Sequence, residues 1–325
     1  MAFSADQLLE KVNTYLATMP YVREPKGLYA PIEYVLSLGG KRIRPVLMLL
    51  SYQLYKENVD DILPQAAGIE TYHNYTLLHD DLMDRSDVRR GKPTVHKVWN
   101  DNTAVLSGDA MLILAFRYMT GCPQEHLKEV MDLFSQTALE ICEGQQWDME
   151  FETRNDVTVP EYMEMIRLKT SVLLSAALKI GAVLGGASED DARKLYDFGI
   201  KMGLAFQLQD DYLDVYGDSK VFGKNIGGDI LCNKKTFMLI NALALADGIQ
   251  RKELEKWIAS TAFCPEEKIK AVTALYDKIG IGGICEEKIN AYYVEGLSLL
   301  ESIAVPSERK EELKSFVCHL MNRKV

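Results

Sequence analysis

Apolar residues recur every three or four positions along most of the chain, a spacing typical of α-helices that bury one face. The pattern predicts helices over 4–18, 29–38, 41–57, 62–84, 101–120, 123–152, 160–185, 189–216, 234–247, 250–260, 265–280, 284–302 and 307–322. Glycine and proline fall in the gaps, as in GLYAP at 27–31 and RRGKPT at 89–94. Strand signals are scarce. We therefore expect an all-α fold, a single-domain bundle of about ten or more long helices.

The sequence indicates one domain over residues 1–325. No linker rich in proline, serine or glycine divides the chain, and no repeat of solenoid length is visible. A chain of 325 residues is long enough to bury an extensive core.

Charge and composition narrow the classes of partner. The formal net charge of −10 argues against nucleic acid as a partner, and it allows an anionic substrate only if a cation mediates the binding.

No apolar run approaches the roughly 18–20 uncharged residues of a membrane span. The N-terminal stretch MAFSADQLLEKVNTYL has acids early and is not expected to be a signal peptide. The six cysteines form no CxxC pair, so we expect reduced thiols in a cytoplasmic protein.

Two acid clusters share one spacing, DDLMD at 80–84 and DDYLD at 210–214, each at the end of an apolar helix. At about 100° per residue, the three carboxylates of each cluster fall within one arc of about 100°. The C-terminus of a helix carries partial negative charge, which destabilises carboxylates there. Because both clusters lie at such an end, the pattern predicts a bound cation that compensates the repulsion. Carboxylates suit Mg²⁺, which also takes phosphate oxygens. The candidate ligands are Asp80, Asp81, Asp84, Asp210, Asp211 and Asp214.

Basic residues accompany both clusters and predict a diphosphate site, because arginine binds phosphate through a planar fork and lysine as a point charge. They are Arg89, Arg90 and Lys92 after the first cluster, Lys220, Lys224, Lys234 and Lys235 after the second, and Lys41, Arg42 and Arg44 in GGKRIRP. On ideal helices, Glu70 and His73 share the face of the first cluster, and Gln207 shares the face of the second.

Several motifs together resemble the trans-prenyl diphosphate synthases, the polyprenyl synthetase family. They are GGKRIRP, ETYHNYTLLHDDLMDRSDVRRGKPTVH, LSGDAML, LKTS, FQLQDDYLDVYGD and FGKNIGGDI, and the resemblance runs from about Leu28 to Lys324. It implies a prenyltransferase that joins isopentenyl diphosphate head to tail to a dimethylallyl, geranyl or farnesyl diphosphate. It also implies a central apolar cavity between the helices, about three Mg²⁺ ions bound with the allylic diphosphate, and a homodimer.

The resemblance implies a role for each matching residue. Direct metal ligands would be Asp80, Asp84 and Asp210, with Asp81, Asp211 and Asp214 as further ligands or as residues behind them. The allylic diphosphate would be held by Arg89, Lys169, Lys224 and Lys234. Isopentenyl diphosphate would be held by Lys41, Arg44, His73 and Arg90. Thr170 and Gln207 match positions that face the reacting carbons. The departed diphosphate would take the proton, so no dedicated general base is expected.

Product length stays open between C15 and C20. Family enzymes stop elongation with bulky side chains four and five residues before the first aspartate, here Thr76 and Tyr75. Tyr75 favours a short product, whereas the plain DDLMD is similar to many geranylgeranyl synthases. An ideal helix puts Tyr75 roughly opposite the acids, so its role as the floor of the pocket rests on the resemblance alone. The basic terminus MNRKV, with Arg323, is similar to tails that close over the site, and a frayed tail is the alternative.

Two other functions fit parts of the pattern. A class I terpene cyclase shares the fold and the metal chemistry but normally lacks a second DDxxD. A non-catalytic regulatory subunit of a prenyl synthase would have lost one or both acid clusters. A haem or di-iron bundle would need paired E-x-x-H motifs on facing helices, and the sequence offers no convincing pair. Two intact clusters therefore favour the synthase.

Overall fold

The computed structural model describes residues 3–21, 23–217 and 226–321, and these residues are mostly helical, as predicted. The first helices are α1 (Ala5–Thr18), α2 (Lys26–Ser37), α3 (Ile43–Gln53), α4 (Leu63–Met83), α5 (Val95–Val98), α6 (Asp101–Met119), α7 (Leu127–Thr153) and α8 (Val159–Ile166). The later helices are α9 (Val172–Gly185), α10 (Glu189–Tyr216), α11 (Gly228–Leu231), α12 (Phe237–Leu245), α13 (Gly248–Ala259), α14 (Pro265–Ile279), α15 (Ile281–Glu301) and α16 (Ser307–Met321).

Five short elements were not predicted. A 3-10 turn, Val59–Ile62, precedes α4, and a π-helical turn, Arg167–Ser171, joins α8 to α9 within the predicted helix 160–185. The short helices α5 and α11 and a two-stranded antiparallel hairpin, β1 (Val88–Arg89) and β2 (Lys92–Pro93), fall in segments expected to be loops.

Contacts divide the chain into two compact units, and neither unit is one continuous stretch. The first unit comprises Met1–Gln136, Ala176–Leu195 and Ile303–Leu313. The second comprises Thr137–Ser175, Tyr196–Ser302 and Lys314–Val325. The single domain over residues 1–325 stays a prediction.

In the first unit, the core fixes the helix that bears the first acid cluster. Helix α4 packs along α6, and α1, α2 and α3 pack around this pair. Ile32, Leu78 and Met111 belong to one buried cluster of apolar side chains. The rings of Tyr72 and Phe134 are fully buried and meet edge to face, with centroids 5.3 Å apart. The apolar side chains whose spacing predicts α4 are therefore the ones that pack this helix into the core of the first unit.

In the second unit, α12 packs against α8, α14 and α15. Its core includes Leu208 on α10, Met238 on α12 and Tyr276 on α14, all at most 2% exposed. Burial of Leu208 secures the last turns of α10, which bear the second acid cluster.

The segment Val159–Gly185 is long and apolar enough, by length and composition alone, to cross a membrane. However, 83% of its most apolar window is buried inside the protein, as in a core helix. Within the described part of the chain, no second helix meets these criteria.

Candidate active site

The first acid cluster forms the last turn of α4, and its aspartates lie in different surroundings. The Asp80 side chain is 21% exposed and that of Asp81 is 7% exposed. Asp84 is exposed and ends the helix, where its N–H donates to the Asp80 carbonyl at 2.9 Å. Asp80 and Asp84 are therefore an accessible pair on one helix face, because they are four residues apart.

Arg89 binds the carboxylate of Asp81. Its Nε donates to Asp81 Oδ1 and Oδ2 at 3.0 and 3.1 Å, and its Nη2 makes a further short bond to Oδ1. The loop that bears Arg89 is held to α4, because the Ser86 N–H donates to the Asp81 carbonyl at 2.9 Å. Burial lowers the pKa of Arg89, but its hydrogen bonds to Asp81 and the charges of Asp81, Asp80 and Asp84 outweigh burial and raise the pKa. Asp81 thus fixes Arg89 beside Asp80, with Nη2 4.0 Å from Asp80 Oδ2.

Three of the residues predicted to hold isopentenyl diphosphate lie in basic surroundings in the first unit. Arg44 Nη1 is 3.1 Å from His73 Nε2, and Arg90 Nη1 donates to the Gly39 carbonyl. Burial lowers the pKa of Arg44 to about 10, so it stays charged at neutral pH. Burial and then the charges of Arg44 and Arg90 lower the pKa of His73 well below its usual value, so the ring is neutral. Lys41, the fourth predicted residue, is exposed.

A buried ion pair supports the turn at the start of α3, and sequence reasoning missed this pairing. Arg42 Nη1 donates to Glu70 Oε1 at 2.7 Å, and the two side chains are 3% and 2% exposed. Arg42 Nη2 donates to the Leu36 carbonyl at 2.6 Å, and Asn74 Nδ2 donates to Glu70 Oε1 at 2.9 Å. The backbone of Arg42 is left-handed, with φ of 47°. These bonds hold the basic motif in an unusual backbone conformation.

Two glycines bring α10 against the neighbouring backbone of the second unit. A Cβ at Gly203 would lie 2.6 Å from Ser171 Cβ, and Gly199, one turn earlier, is equally close to α9. Gln207 is the next residue on this face of α10, because it lies four positions after Gly203. Its Oε1 accepts a hydrogen bond from Thr170 Oγ1 at 3.3 Å. The close approach therefore joins two predicted site residues.

The second acid cluster repeats the arrangement of the first. Asp211, its middle residue, is 4% exposed and accepts a short hydrogen bond from the Tyr162 hydroxyl. Burial raises the pKa of Asp211 to about 7, against the lowering effect of that hydrogen bond. Asp214 Oδ2 accepts the Asp229 N–H at 3.0 Å, at the start of α11. Asp210 remains partly exposed. In both clusters the middle acid is thus buried and bound by a neighbour.

Lys169 lies in the π-helical turn. The Val172 N–H donates to the carbonyl of Arg167, five residues back, as in a π-helix. Lys169 Nζ donates to Asp148 Oδ2 at 2.7 Å. Lys234, shortly after α11, is exposed and acts on the same carboxylate through its charge. The structure therefore relates both lysines to an acid on α7 that sequence reasoning did not single out.

The remaining predicted residues are Lys224, Arg323 and Tyr75. Lys224 and Arg323 lie outside the described residues. Tyr75 is partly buried, and its ring centroid lies 5.4 Å from that of Tyr72 and 4.9 Å from that of His79. Its role as the floor of the pocket stays a prediction.

The donors present fit Mg²⁺ held jointly with a phosphate. Among residues 3–21, 23–217 and 226–321, no group of three or more His, Cys, Asp or Glu side chains could hold a metal ion by itself. Each cluster instead offers two carboxylates that are at least partly exposed, Asp80 and Asp84 on α4 and Asp210 and Asp214 on α10. Mg²⁺ typically takes one or two carboxylates and completes its octahedron with water and phosphate oxygens. Such a metal binds together with its substrate.

Comparison with known proteins agrees with the motifs. Residues 25–276 match the family model Polyprenyl synthetase. The chain is 41% identical over 273 residues to the short chain isoprenyl diphosphate synthase of Methanocaldococcus jannaschii, covering 84% of this chain and 83% of that protein. It is 45% identical over 223 residues to the geranylgeranyl diphosphate synthase of Methanosarcina mazei, covering 68% and 69%. A crystal structure of a geranylgeranyl pyrophosphate synthase is similar with a TM-score of 0.91 and 43% identity, covering 98% of each chain. The chain therefore belongs to the polyprenyl synthetase family.

Proposed function

We propose that this protein is a Mg²⁺-dependent prenyltransferase that joins isopentenyl diphosphate to an allylic diphosphate and releases a short all-trans prenyl diphosphate. One observation supports this most directly: two helices, α4 and α10, end in the same acid cluster, each with its middle acid bound by a neighbour and its first acid accessible. An arginine or lysine lies near each cluster, as diphosphate binding requires.

In the proposed reaction, Arg89, Lys169 and Lys234 hold the allylic diphosphate by charge. Contact with Asp81 fixes Arg89, and contact with Asp148 fixes Lys169, before the substrate arrives, and the charge of Asp148 also acts on Lys234. They stabilise the negative charge that grows as the allylic C–O bond breaks and its electron pair leaves with the diphosphate. Bound Mg²⁺ would neutralise part of the same charge. A delocalised allylic cation remains, and Lys224 is proposed as a further cation beside the diphosphate.

The second substrate is held by the basic group of the first unit, Lys41, Arg44, His73 and Arg90. The neutral ring of His73 supplies a hydrogen bond without adding charge. The double bond of isopentenyl diphosphate attacks the cation and forms the new C–C bond. A proton is then lost to the departed diphosphate. In this proposal Thr170 and Gln207, which are joined by a hydrogen bond, direct their side-chain oxygens toward the cation.

We propose a product of C15 or C20, limited by Tyr75. The partly buried ring of Tyr75 sits one turn before His79 and packs against it, so it lies along α4 below the first acids. Five residues of helix place it about 7–8 Å along the axis from Asp80. That depth suits a short chain, and relatives named as geranylgeranyl synthases support the C20 end of this range.

We propose a homodimer formed through α6. Val105, Leu106 and Ile113 on this helix are 45%, 60% and 61% exposed. Asp109 and Arg117 lie four residues before and after Ile113 on the same strip. In a twofold contact centred on Ile113, Asp109 of each copy would face Arg117 of the other. Light scattering at low micromolar concentration should give twice the 36.7 kDa of one chain, and the mass of one chain would contradict the proposal.

We also propose a cytoplasmic location and no nucleic-acid partner. All six cysteines lie in described residues and none is in a disulfide. The net charge of −10 repels nucleic acid.

The activity is tested by incubating the protein with labelled isopentenyl diphosphate, Mg²⁺ and dimethylallyl, geranyl or farnesyl diphosphate in turn. We expect a longer prenyl diphosphate from at least one starter, and loss of activity with a chelator that added Mg²⁺ restores. Chromatography of the hydrolysed alcohols gives the chain length. A cyclic hydrocarbon without consumption of isopentenyl diphosphate would identify a terpene cyclase instead, and no product with any starter would contradict the proposal.

A further inference from the structure

Asp148 on α7 is an acid among residues assigned to hold a diphosphate, and the reaction as outlined needs no acid there. Its Oδ2 lies 2.7 Å from Lys169 Nζ, and the two side chains are 20% and 27% exposed. A fixed anion at this position repels the diphosphate that the lysine attracts. The contact therefore weakens binding unless Asp148 contributes something that outweighs the repulsion.

The surroundings keep Asp148 charged. Burial raises its pKa, but the charges of Lys234 and then Lys169 outweigh burial, and the pKa is below its usual value. The two lysines come from distant parts of the sequence, one in the π-helical turn and one shortly after α11. Asp148 is thus an anion that both of them share, and it offsets their mutual repulsion.

The backbone of α7 is also fitted to the π-helical turn. A Cβ at Gly144 would lie 2.4 Å from Lys169 N and 2.9 Å from the carbonyl carbon of Leu168, closer than side chains approach backbone. Gly144 is one helical turn before Asp148, so the close approach and the ion pair lie on the same face of α7. Helix α7 therefore determines both where the backbone of Lys169 lies and where its ammonium group points.

We propose that Asp148 is a positioning residue: it holds the ammonium group of Lys169 in place and allows Lys234 to lie nearby, so that both meet the allylic diphosphate. This inference rests on the proposed prenyltransferase function. Lysine has a long flexible side chain, and a partner that fixes it before binding removes an ordering cost from each substrate encounter. The effect is confined to the allylic substrate, because neither lysine is among the residues assigned to isopentenyl diphosphate.

Steady-state kinetics of Asp148→Ala and Asp148→Asn test this, with each substrate varied while the other is saturating. We expect Asp148→Ala to lower kcat/KM for the allylic diphosphate about tenfold or more, as for loss of a hydrogen bond to a charged group. The KM for isopentenyl diphosphate should stay within about twofold. The kcat/KM of Asp148→Asn should lie between those of wild type and Asp148→Ala, because its amide oxygen still accepts a hydrogen bond from Lys169 but carries no charge. Glu143→Ala, an exposed acid on the same helix, is the matched control and should behave as wild type.

A double-mutant cycle separates positioning from a general structural effect. In a Lys169→Ala background, Asp148→Ala should lower kcat/KM for the allylic diphosphate by no more than about twofold, because the side chain that Asp148 positions is absent. An equal loss in both backgrounds, equal changes for both substrates, or wild-type kinetics in Asp148→Ala would overturn the inference.

Binding of inorganic diphosphate with Mg²⁺, measured by titration calorimetry, gives a readout that needs no catalysis. We expect weaker binding by Asp148→Ala and Asp148→Asn than by Glu143→Ala, and equal binding would overturn the inference. An inactive wild-type protein would refute the prenyltransferase proposal, while this titration would still decide the role of Asp148. If Asp148→Ala does not fold, Asp148→Asn decides by the same measurements.

Discussion

Replacing Glu70 with alanine would leave the guanidinium of Arg42 buried without its counter-ion. The two side chains are 2% and 3% exposed and only 2.7 Å apart, so the guanidinium would lose its counter-ion while it stays out of reach of bulk water. Asn74 would also lose its bond to Glu70 Oε1. The perturbation is therefore an uncompensated buried charge together with a vacated hydrogen-bond site.

The expected size follows from the contacts that remain. Removing one partner of a buried ion pair typically costs about 3–5 kcal/mol of unfolding free energy. Arg42 keeps its bonds to the Leu36 carbonyl at 2.6 Å and to Asn13 Oδ1 at 3.2 Å. We therefore expect the lower end, about 3 kcal/mol, for Glu70→Ala. Replacing both partners, as Arg42→Met with Glu70→Met, removes the unpaired charge and should bring stability to within about 1–2 kcal/mol of wild type.

Urea unfolding, followed by far-UV circular dichroism and by tryptophan fluorescence, measures these differences. Glu33→Ala is the control, because Glu33 is an exposed acid on α2, and it should change stability by less than about 0.5 kcal/mol. Where Glu70→Ala remains folded, its KM for isopentenyl diphosphate should rise, because the turn at the start of α3 loses its support. A Glu70→Ala protein as stable as the control, or a double variant less stable than Glu70→Ala, would refute the reasoning.

Three further predictions concern the proposed site. Asp80→Ala and Asp210→Ala should each reduce turnover about a hundredfold or more, because each removes a metal ligand. Circular dichroism should show that the fold is retained, and wild-type rates in either variant would refute the metal assignment. Lys41→Ala should raise the KM for isopentenyl diphosphate more than that for the allylic substrate, and equal rises would contradict the division of substrates. Tyr75→Ala should give longer alcohols on chromatography after hydrolysis, and an unchanged profile would remove Tyr75 as the limit on chain length.

Long apolar periodicity made most helix bounds predictable. Helix α10 spans the predicted residues 189–216, and α6 ends one residue before the predicted bound. The hairpin of β1 and β2 escaped prediction, because two-residue strands are too short to show an alternating pattern. The π-helical turn escaped because it interrupts neither the apolar run nor the helical course of the chain.

At the candidate site, residue types were predictable but their different roles within a cluster were not. An ideal helix makes the three acids of DDLMD nearly equivalent, yet Asp81 is buried and bound by Arg89 while Asp80 is accessible. The difference arises because the loop after α4 folds back and brings Arg89, eight residues after Asp81, against the Asp81 carboxylate. Asp148 escaped because its partner, Lys169, is 21 residues away in sequence and the contact arises only from tertiary packing. For α10, the spacing of Gly199 and Gly203 was a usable signal, since small residues four apart allow close helix packing.

The π-helical turn allows this part of the chain to carry one extra residue without changing the phase of the helix that follows. Its hydrogen bond from Val172 to Arg167 spans one residue more than an α-helical bond. Because the wider turn takes up that residue, a chain shortened by one residue within Arg167–Ser171 would continue as ordinary α-helix, with α9 in nearly the same rotational phase relative to α8. The core contacts of α9 would be kept, while the turn that presents Lys169 to Asp148 and Thr170 to Gln207 would lose one position. The extra residue thus serves the side chains proposed to meet the substrate and leaves the packing of the core helix unchanged.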